Sequence, residues 1–216
     1  MSILALSDAQ LDALGEIGNI GAGKASTSLA QMTRQVISLT VPDTRIMPFD
    51  ELPLVASTDP EAPMIAAYVA FEGDAGGCLL LLFSEQQAMR ILELLGLPVG
   101  SDLFQLPELH KSAIAEIGNI ITSAYLDALA TVTGLTLMPM PPGVAVGMTG
   151  AILDTIGAYL GQFAELGIIV HINIRSTDAD TGLELLMIPQ LDNVGAILAA
   201  LGLGGPLQDE QHTMRR

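Results

Sequence analysis

The sequence predicts an α+β fold built as an internal duplication, in which helices are grouped with antiparallel strands. The first observation is that 50% of the 216 residues are hydrophobic, which excludes a disordered chain and suffices for a large core. The second is that a shift of 100 residues aligns Asp12–Pro42 with Ser112–Pro142, giving ten identities in 31 positions. The third is that each half contains two strand-like runs close together, as hairpins require. We expect a single pseudo-symmetric domain over residues 1–216, with a first repeat of about 1–105 and a second of about 106–216.

The first half opens on a predicted helix, because apolar residues recur at helical spacing from Leu11 onward and Ser7 offers an N-cap. This helix is expected to run to about Gln35. A strand over Val36–Val41 follows and is expected to stop at Pro42, which cannot donate to a ladder. The half is completed by strands at Met64–Glu72 and Gly77–Ser84 and a helix from Ser84 or Glu85 to Leu95.

The second half follows the same plan with one addition. A helix-like stretch at Met148–Leu166 has no counterpart of equal length in the first half. The polar tail, Gln208–Arg216, is expected to be frayed. The remaining elements are a long helix at Leu109–Leu129, a strand at Leu135–Met138, a strand pair at Gly167–Ile174 and Leu183–Ile188, and a closing helix at Leu191–Leu201.

Charge and cysteine usage exclude several classes of function. The net charge is −16, from 24 acidic and 8 basic residues, which argues against partners that are nucleic acids or anionic membranes. The lone cysteine, Cys78, excludes an internal disulfide and a cysteine-based zinc site, and its apolar surroundings predict a buried thiol. With no signal peptide and no uninterrupted apolar span, we expect a cytoplasmic protein. The three histidines stand isolated in the sequence, at His110, His171 and His212.

One glycine-rich segment resembles a phosphate-binding loop without matching it. Gly18 to Lys24 has the glycine and lysine spacing of a P-loop, but Ala25 occupies the position that needs a magnesium-binding hydroxyl. The residues before Gly18 have helical periodicity, so no strand leads into the loop. A nucleotide-binding protein is therefore a disfavoured alternative, which nucleotide-dependent thermal shift would test.

Both halves retain a short polar pattern, Glu-Ile-Gly-Asn. On a helix, Asp12, Glu16 and Asn19 lie within about 60° of one another, and Ser112, Glu116 and Asn119 repeat that arrangement. A solvated helix face is the ordinary explanation of one such pattern. Its recurrence within sequence that has otherwise diverged favours a functional surface, and we expect both asparagines to be solvent-exposed.

The chemistry of this face suits an accessory role in the active site of another protein. An asparagine amide can hold a water molecule, because it donates and accepts hydrogen bonds at once. A glutamate can pair with a lysine or arginine of a partner. Phosphoryl hydrolysis needs mainly such positioning when a metal and a cation are supplied from elsewhere.

The full pattern, (Asp/Ser)-x3-Glu-x2-Asn-x22-Pro, resembles the signature of the CheC/CheX/FliY phosphatases of bacterial and archaeal chemotaxis. It occurs here as Asp12-Glu16-Asn19-Pro42 and again as Ser112-Glu116-Asn119-Pro142. A chain with two such motifs is similar to the CheC type. Proteins of the CheX type carry one motif, and those of the FliY type have an appended flagellar-switch domain.

The resemblance implies dephosphorylation of the phosphorylated response regulator CheY. Asn19 and Asn119 would orient the attacking water, and Glu16 and Glu116 would anchor the regulator's active-site lysine. It implies that Mg²⁺ belongs to the regulator and that this chain needs no cofactor of its own. The resemblance also implies the receptor deamidase CheD as a further partner. The alternative function is a non-catalytic adaptor that binds CheD or the regulator. The supporting positions are Asp12 and Ser112 on the docking face and Pro42 and Pro142 in the loop below it.

Overall fold

The computed structural model describes residues 7–48, 51, 59–97, 102–160, 166–176 and 180–202, and it confirms the α+β class. The elements of the first half are α1 (Asp8–Thr33), β1 (Ile37–Pro48), β2 (Pro63–Gly73), β3 (Gly77–Ser84) and α2 (Glu85–Leu94). A 3₁₀ turn (Leu103–Gln105) precedes the second half, whose elements are α3 (Glu108–Thr133), β4 (Leu137–Pro139), β5 (Gly143–Met148), α4 (Thr149–Leu160), β6 (Leu166–Ser176), β7 (Asp180–Pro189) and α5 (Leu191–Ala200).

The two long helices, α1 and α3, end in the same way at equivalent positions. The residue after α1 is Arg34 with φ of 57°, and the residue after α3 is Gly134 with φ of 71°. A left-handed residue here stops the helix, and glycine adopts that conformation at no steric cost whereas arginine does not. The shared end supports the duplication that the sequence predicts.

The seven strands of the described residues form one sheet in which the halves exchange their outer strands. The order is β1-β6-β7-β3-β2-β4, with β5 also pairing with β2. All pairs among the described residues are antiparallel. Strand β1 of the first half therefore pairs with β6 of the second, while β4 and β5 of the second half pair with β2 of the first. Each half supplies an edge of the other, so the two repeats share one sheet.

The prediction that the first strand stops at Pro42 is wrong, because β1 continues past this proline. The pair Thr40/Asn173 is followed by the pair Asp43/His171, so residues 41 and 42 lie opposite a single residue of β6. This two-against-one arrangement is a β-bulge, where a proline is tolerated since the ladder does not need its missing N–H.

The second half repeats this irregularity in the strand that the sequence predicts at Leu135–Met138. The N–H of Met140 donates to the carbonyl of Ala70 at 2.8 Å, and the next paired residue is Gly143, opposite Tyr68. Residues 141 and 142 thus lie opposite one residue of β2. Because both are prolines, the pairing is interrupted, and the single strand of the first half corresponds to two, β4 and β5.

The helix-like stretch predicted at Met148–Leu166 is shorter in the structure. Met148 is the last residue of β5 and Leu166 is the first of β6, while residues 161–165 lie outside the described residues. The helix begins at Thr149, whose backbone N–H and hydroxyl both donate to the carbonyl of Ala62 at 2.9 Å. The predicted tail, Gln208–Arg216, also lies outside the described residues.

The main core lies between the sheet and the two long helices. Leu14 and Ile17 of α1 and Ile114 and Ile117 of α3 pack in one buried cluster with residues of β2, β3, β6 and β7. A second cluster on the opposite face of the sheet includes Ile152 of α4. Among the described residues, no helix combines the length and apolar character that a membrane span requires.

Cys78 is buried in the second cluster, as the sequence predicts. Burial raises the pKa of its thiol to about 12, so the side chain stays protonated and behaves as a small apolar group.

The glycines of the repeated segment have packing roles. A Cβ on Gly21 would lie 3.0 Å from the Cα of Tyr125, so this glycine permits the close approach of α1 and α3. A Cβ on Gly118 would lie 2.7 Å from the Cβ of Ala67 on β2, and one on Gly18 would lie 3.2 Å from the methyl groups of Val41. The glycine of each Glu-Ile-Gly-Asn segment therefore allows its helix to pack closely against the sheet.

Gly118→Ala is expected to lower the free energy of unfolding by about 1–3 kcal/mol, because the added methyl group overpacks the contact with β2. Gly23→Ala is the matched control, since a Cβ there meets nothing within 4 Å. The control should be neutral or stabilising, as alanine favours a helix over glycine. Denaturant unfolding measures both changes, and equal midpoints would contradict the assigned packing role.

Candidate functional site

The structure places both predicted polar faces on the long helices that cover the sheet. On α1, Asp12, Glu16 and Asn19 are all exposed. On α3, Ser112 and Glu116 are exposed, whereas the amide-bearing residue, Asn119, is half-buried. The expected solvent exposure is thus confirmed for Asn19 and wrong for Asn119.

The two glutamates carry unpaired charges. Within the described parts of the chain, neither Glu16 nor Glu116 makes a hydrogen bond or an ion pair. An exposed carboxylate of this kind remains hydrated until a partner supplies a cation, and pairing then costs little reorganisation of the helix. Both side chains are therefore available to a binding protein.

The side chain of Asn19 is held by the bulge in β1. Its Oδ1 accepts a hydrogen bond from the backbone N–H of Val41 at 3.2 Å. Val41 is buried and lies in the bulge, where the regular ladder is interrupted and its N–H donates to the side chain of Asn19. The bond satisfies a buried donor and fixes the amide group at the same time.

This contact gives a physical reason for the 22-residue gap between asparagine and proline in the motif. The gap spans the rest of α1, the turn and the first part of β1, and it ends at Pro42, directly after the donor Val41. The motif prolines were expected in a loop below the docking face. The structure places Pro42 in the bulge of β1 instead, and it places Pro142 in the short connection between β4 and β5.

The second asparagine is held by a different group. Pro141 takes the place of Val41 under the 100-residue shift, and proline has no backbone N–H to donate. Oδ1 of Asn119 instead accepts from the hydroxyl of Ser123 at 3.3 Å, one helical turn farther along α3. The corresponding residue of α1 is Gly23, which has no side chain to offer.

The residues that orient the two amides, Val41 and Ser123, were missed in the sequence reasoning. Val41 gives no signal of its own in the sequence. Ser123 could have been found by comparing the two halves. The half that has proline at the position of Val41 also has serine at the position of Gly23.

The glycine-rich segment is not a phosphate-binding loop. Residues 18–24 lie within the continuous helix α1, so their backbone N–H groups belong to a helix interior. The ammonium of Lys24 pairs with the carboxylate of Asp127 on α3 at 2.6 Å and links the two long helices. The structural context that a nucleotide site requires is therefore absent from this segment.

His171 lies on β6 of the sheet beside two polar side chains. Its Nδ1 is 2.7 Å from Oε1 of Glu184, and its Nε2 is 3.1 Å from Oδ1 of Asn173. His110 is buried on α3, and His212 lies outside the described residues. Among the described residues, no three histidine, cysteine or acidic side chains gather as metal ligands would.

Asn19→Ala is expected to destabilise the fold by about 1 kcal/mol or more, because the buried N–H of Val41 then has no partner. Asn119→Ala should cost less, since Pro141 has no N–H that could be stranded. Denaturant unfolding of the two variants compares these costs directly. Asn19→Asp is the control, as its carboxylate can still accept from Val41. Equal losses for the two alanine variants would contradict the asymmetry.

Comparisons with known proteins match the two segments that carry the motifs. A family model described as the CheC-like family matches residues 10–46 and 109–146. The CheY-P phosphatase CheC of Bacillus subtilis strain 168 is 34% identical over 202 residues, which cover 91% of this chain and 96% of that protein. The flagellar motor switch phosphatase FliY of the same organism is 30% identical over 141 residues, covering 64% of this chain and 36% of that protein.

Among solved structures, Thermotoga maritima FliY matches the fold with a TM-score of 0.74 at 20% identity. The match covers 93% of this chain and 100% of that one.

Proposed function

This chain belongs to the CheC-like family, and on that premise we propose that it is a phosphatase that hydrolyses the aspartyl phosphate of a CheY-type response regulator. One observation carries the proposal: the Glu-x-x-Asn face occurs twice, on α1 and α3, and each asparagine is anchored through its carbonyl oxygen. The curated relative at 34% identity is itself named a CheY-P phosphatase.

Each asparagine is proposed to orient the attacking water. An amide oxygen has two lone pairs, and the contacts with Val41 and Ser123 use one on Asn19 and one on Asn119. The second lone pair and the N–H donors remain for a water molecule and a phosphoryl oxygen. Fixing the amide in advance lowers the entropic cost of aligning water with the phosphorus.

Each glutamate is proposed to bind the lysine beside the regulator's phosphorylated aspartate. Glu16 and Glu116 are exposed and lie one helical turn before their asparagines, so docking of the glutamate brings the amide over the phosphate. Asp12 and Ser112 extend the same face by one more turn and would support docking.

The charge of the reacting phosphoryl group is proposed to be neutralised from the regulator's side. Phosphoryl transfer uses a metal ion and a cation around the transferred group, and here Mg²⁺ and lysine would come from the regulator. This chain would then contribute orientation of water and exclusion of bulk solvent.

The test is the rate at which a phosphorylated CheY-type regulator releases phosphate with and without this protein. Substoichiometric protein should accelerate release with multiple turnovers. Stable binding of the regulator without faster phosphate release would overturn the phosphatase function. It would favour the alternative, a non-catalytic adaptor that binds the regulator. CheD stays a prediction as a second partner, and titration calorimetry against purified CheD would test it.

A further inference from the structure

We propose that Ser123 is the positioning residue of the second site and that the two sites orient their asparagines by different devices. In the first site the donor is a backbone N–H, that of Val41; in the second it is the hydroxyl of Ser123. This inference rests on the proposed function, since it concerns the same asparagines.

The bulges show why the second site needs another donor. Both halves place two residues of an outer strand opposite one residue of the neighbouring strand, at positions related by the 100-residue shift. In β1 the first of the two is Val41, whose N–H donates to Asn19. In the second half the corresponding residue is Pro141, which has no backbone N–H to donate.

Ser123 differs from the hydroxyl-bearing residues around it in what it binds. A serine or threonine inside a helix ordinarily donates to the backbone carbonyl four residues earlier. Ser123 donates to the side chain of the residue four positions earlier. The ordinary backbone bond is made on the two long helices by Ser26, Thr27, Ser28, Thr33, Thr122, Thr131 and Thr133.

Packing does not explain the difference between Gly23 and Ser123. A Cβ at Gly23 would meet nothing within 4 Å, so space permits a serine in the first site as well. The two sites differ in the donors that their asparagines have. Asn19 has the N–H of Val41, whereas among the described residues Asn119 has only the hydroxyl of Ser123.

The two devices differ in rigidity. The N–H of Val41 is part of the sheet, and its direction is set by the bulge. The hydroxyl of Ser123 rotates about its own bonds, and its 3.3 Å contact is longer than a typical O–H···O bond. The orientation of Asn119 therefore depends on a single side chain, which a substitution can remove. The orientation of Asn19 depends on a backbone N–H, which only a substitution of Val41 by proline would remove.

The test uses a chain that can act only through its second site, obtained with Asn19→Ala. Adding Ser123→Ala should lower kcat roughly threefold to tenfold, the effect of one hydrogen bond, and leave KM unchanged because Glu116 still docks. Ser123→Thr should restore most of kcat, since it returns the hydroxyl. Thr131→Ala is the matched control: it removes a hydroxyl from the same helix, where that group binds only the carbonyl of Asp127.

A structural readout separates this proposal from the proposed function. In a uniformly ¹⁵N-labelled full chain, Ser123→Ala should shift the side-chain amide signals of Asn119, while Thr131→Ala should not. Unchanged Asn119 signals, or unchanged kcat in the Asn19→Ala chain, would overturn the role of Ser123 alone. An Asn19→Ala chain with no activity, together with shifted Asn119 signals, would overturn turnover at the second site and leave the contact with Ser123 intact.

Discussion

Replacing both Asn19 and Asn119 with alanine is expected to lower the rate of regulator dephosphorylation by about 100-fold or more, because nothing else then aligns the water with the phosphorus. Each single variant should keep part of the activity, since the two faces lie on different helices. Association should persist in the double variant, because Glu16 and Glu116 are unchanged. The measurement is phosphate release at saturating regulator, with the affinity for the regulator determined separately.

The control for this double variant is its state of folding. Loss of the Val41 contact is expected to lower stability modestly, so activity must be measured well below the unfolding transition. Circular dichroism and the unfolding midpoint establish that condition. Undiminished acceleration by the folded double variant would show that the amides do not orient the water.

Glu16→Gln combined with Glu116→Gln is expected to raise KM about tenfold or more while kcat changes little. Glutamine keeps the size of the side chain but removes the charge that would pair with the regulator's lysine, and truncation of such a pair costs chiefly affinity. Both carboxylates are exposed and unpaired among the described residues, so their loss should leave the fold unaffected.

A matched control for this charge change is Glu61→Gln combined with Glu72→Gln. Both residues are exposed, and both lie outside α1 and α3. The control alters the net charge equally, so any general electrostatic effect on an encounter with the regulator appears in it too. A fall in kcat at saturating regulator, with unchanged KM, would give the carboxylates a chemical role in place of docking.

Local patterns were enough to predict most of the helices and both polar faces. The periodicity from Leu11 and the N-cap at Ser7 place α1 to within two residues, because helix formation depends on residues three and four apart. The same argument places Asp12, Glu16 and Asn19 on one face. It also explains why the strand ending was wrong, since a proline stops a regular ladder but is accepted in a bulge.

The duplication, the α+β class and the positions of the two Glu-x-x-Asn faces can all be predicted from the sequence, because the repeat and the spacing of apolar residues are visible along the chain. The pairing of β1 with β6, and of β4 and β5 with β2, could not be predicted in this way. Strand pairing depends on contacts between residues far apart in the chain, which no local pattern specifies.

The anchoring of Asn19 also depends on contacts between residues far apart in the chain. Asn19 meets Val41 because α1 lies across a bulge 22 positions later in the chain, and Asn119 turns to Ser123 because Pro141 offers no donor there. The physical reason is that the N–H of Val41 reaches Asn19 only once helix, strand and bulge are assembled. The hydroxyl of Ser123 lies four residues from Asn119 on the same helix, so that contact is local.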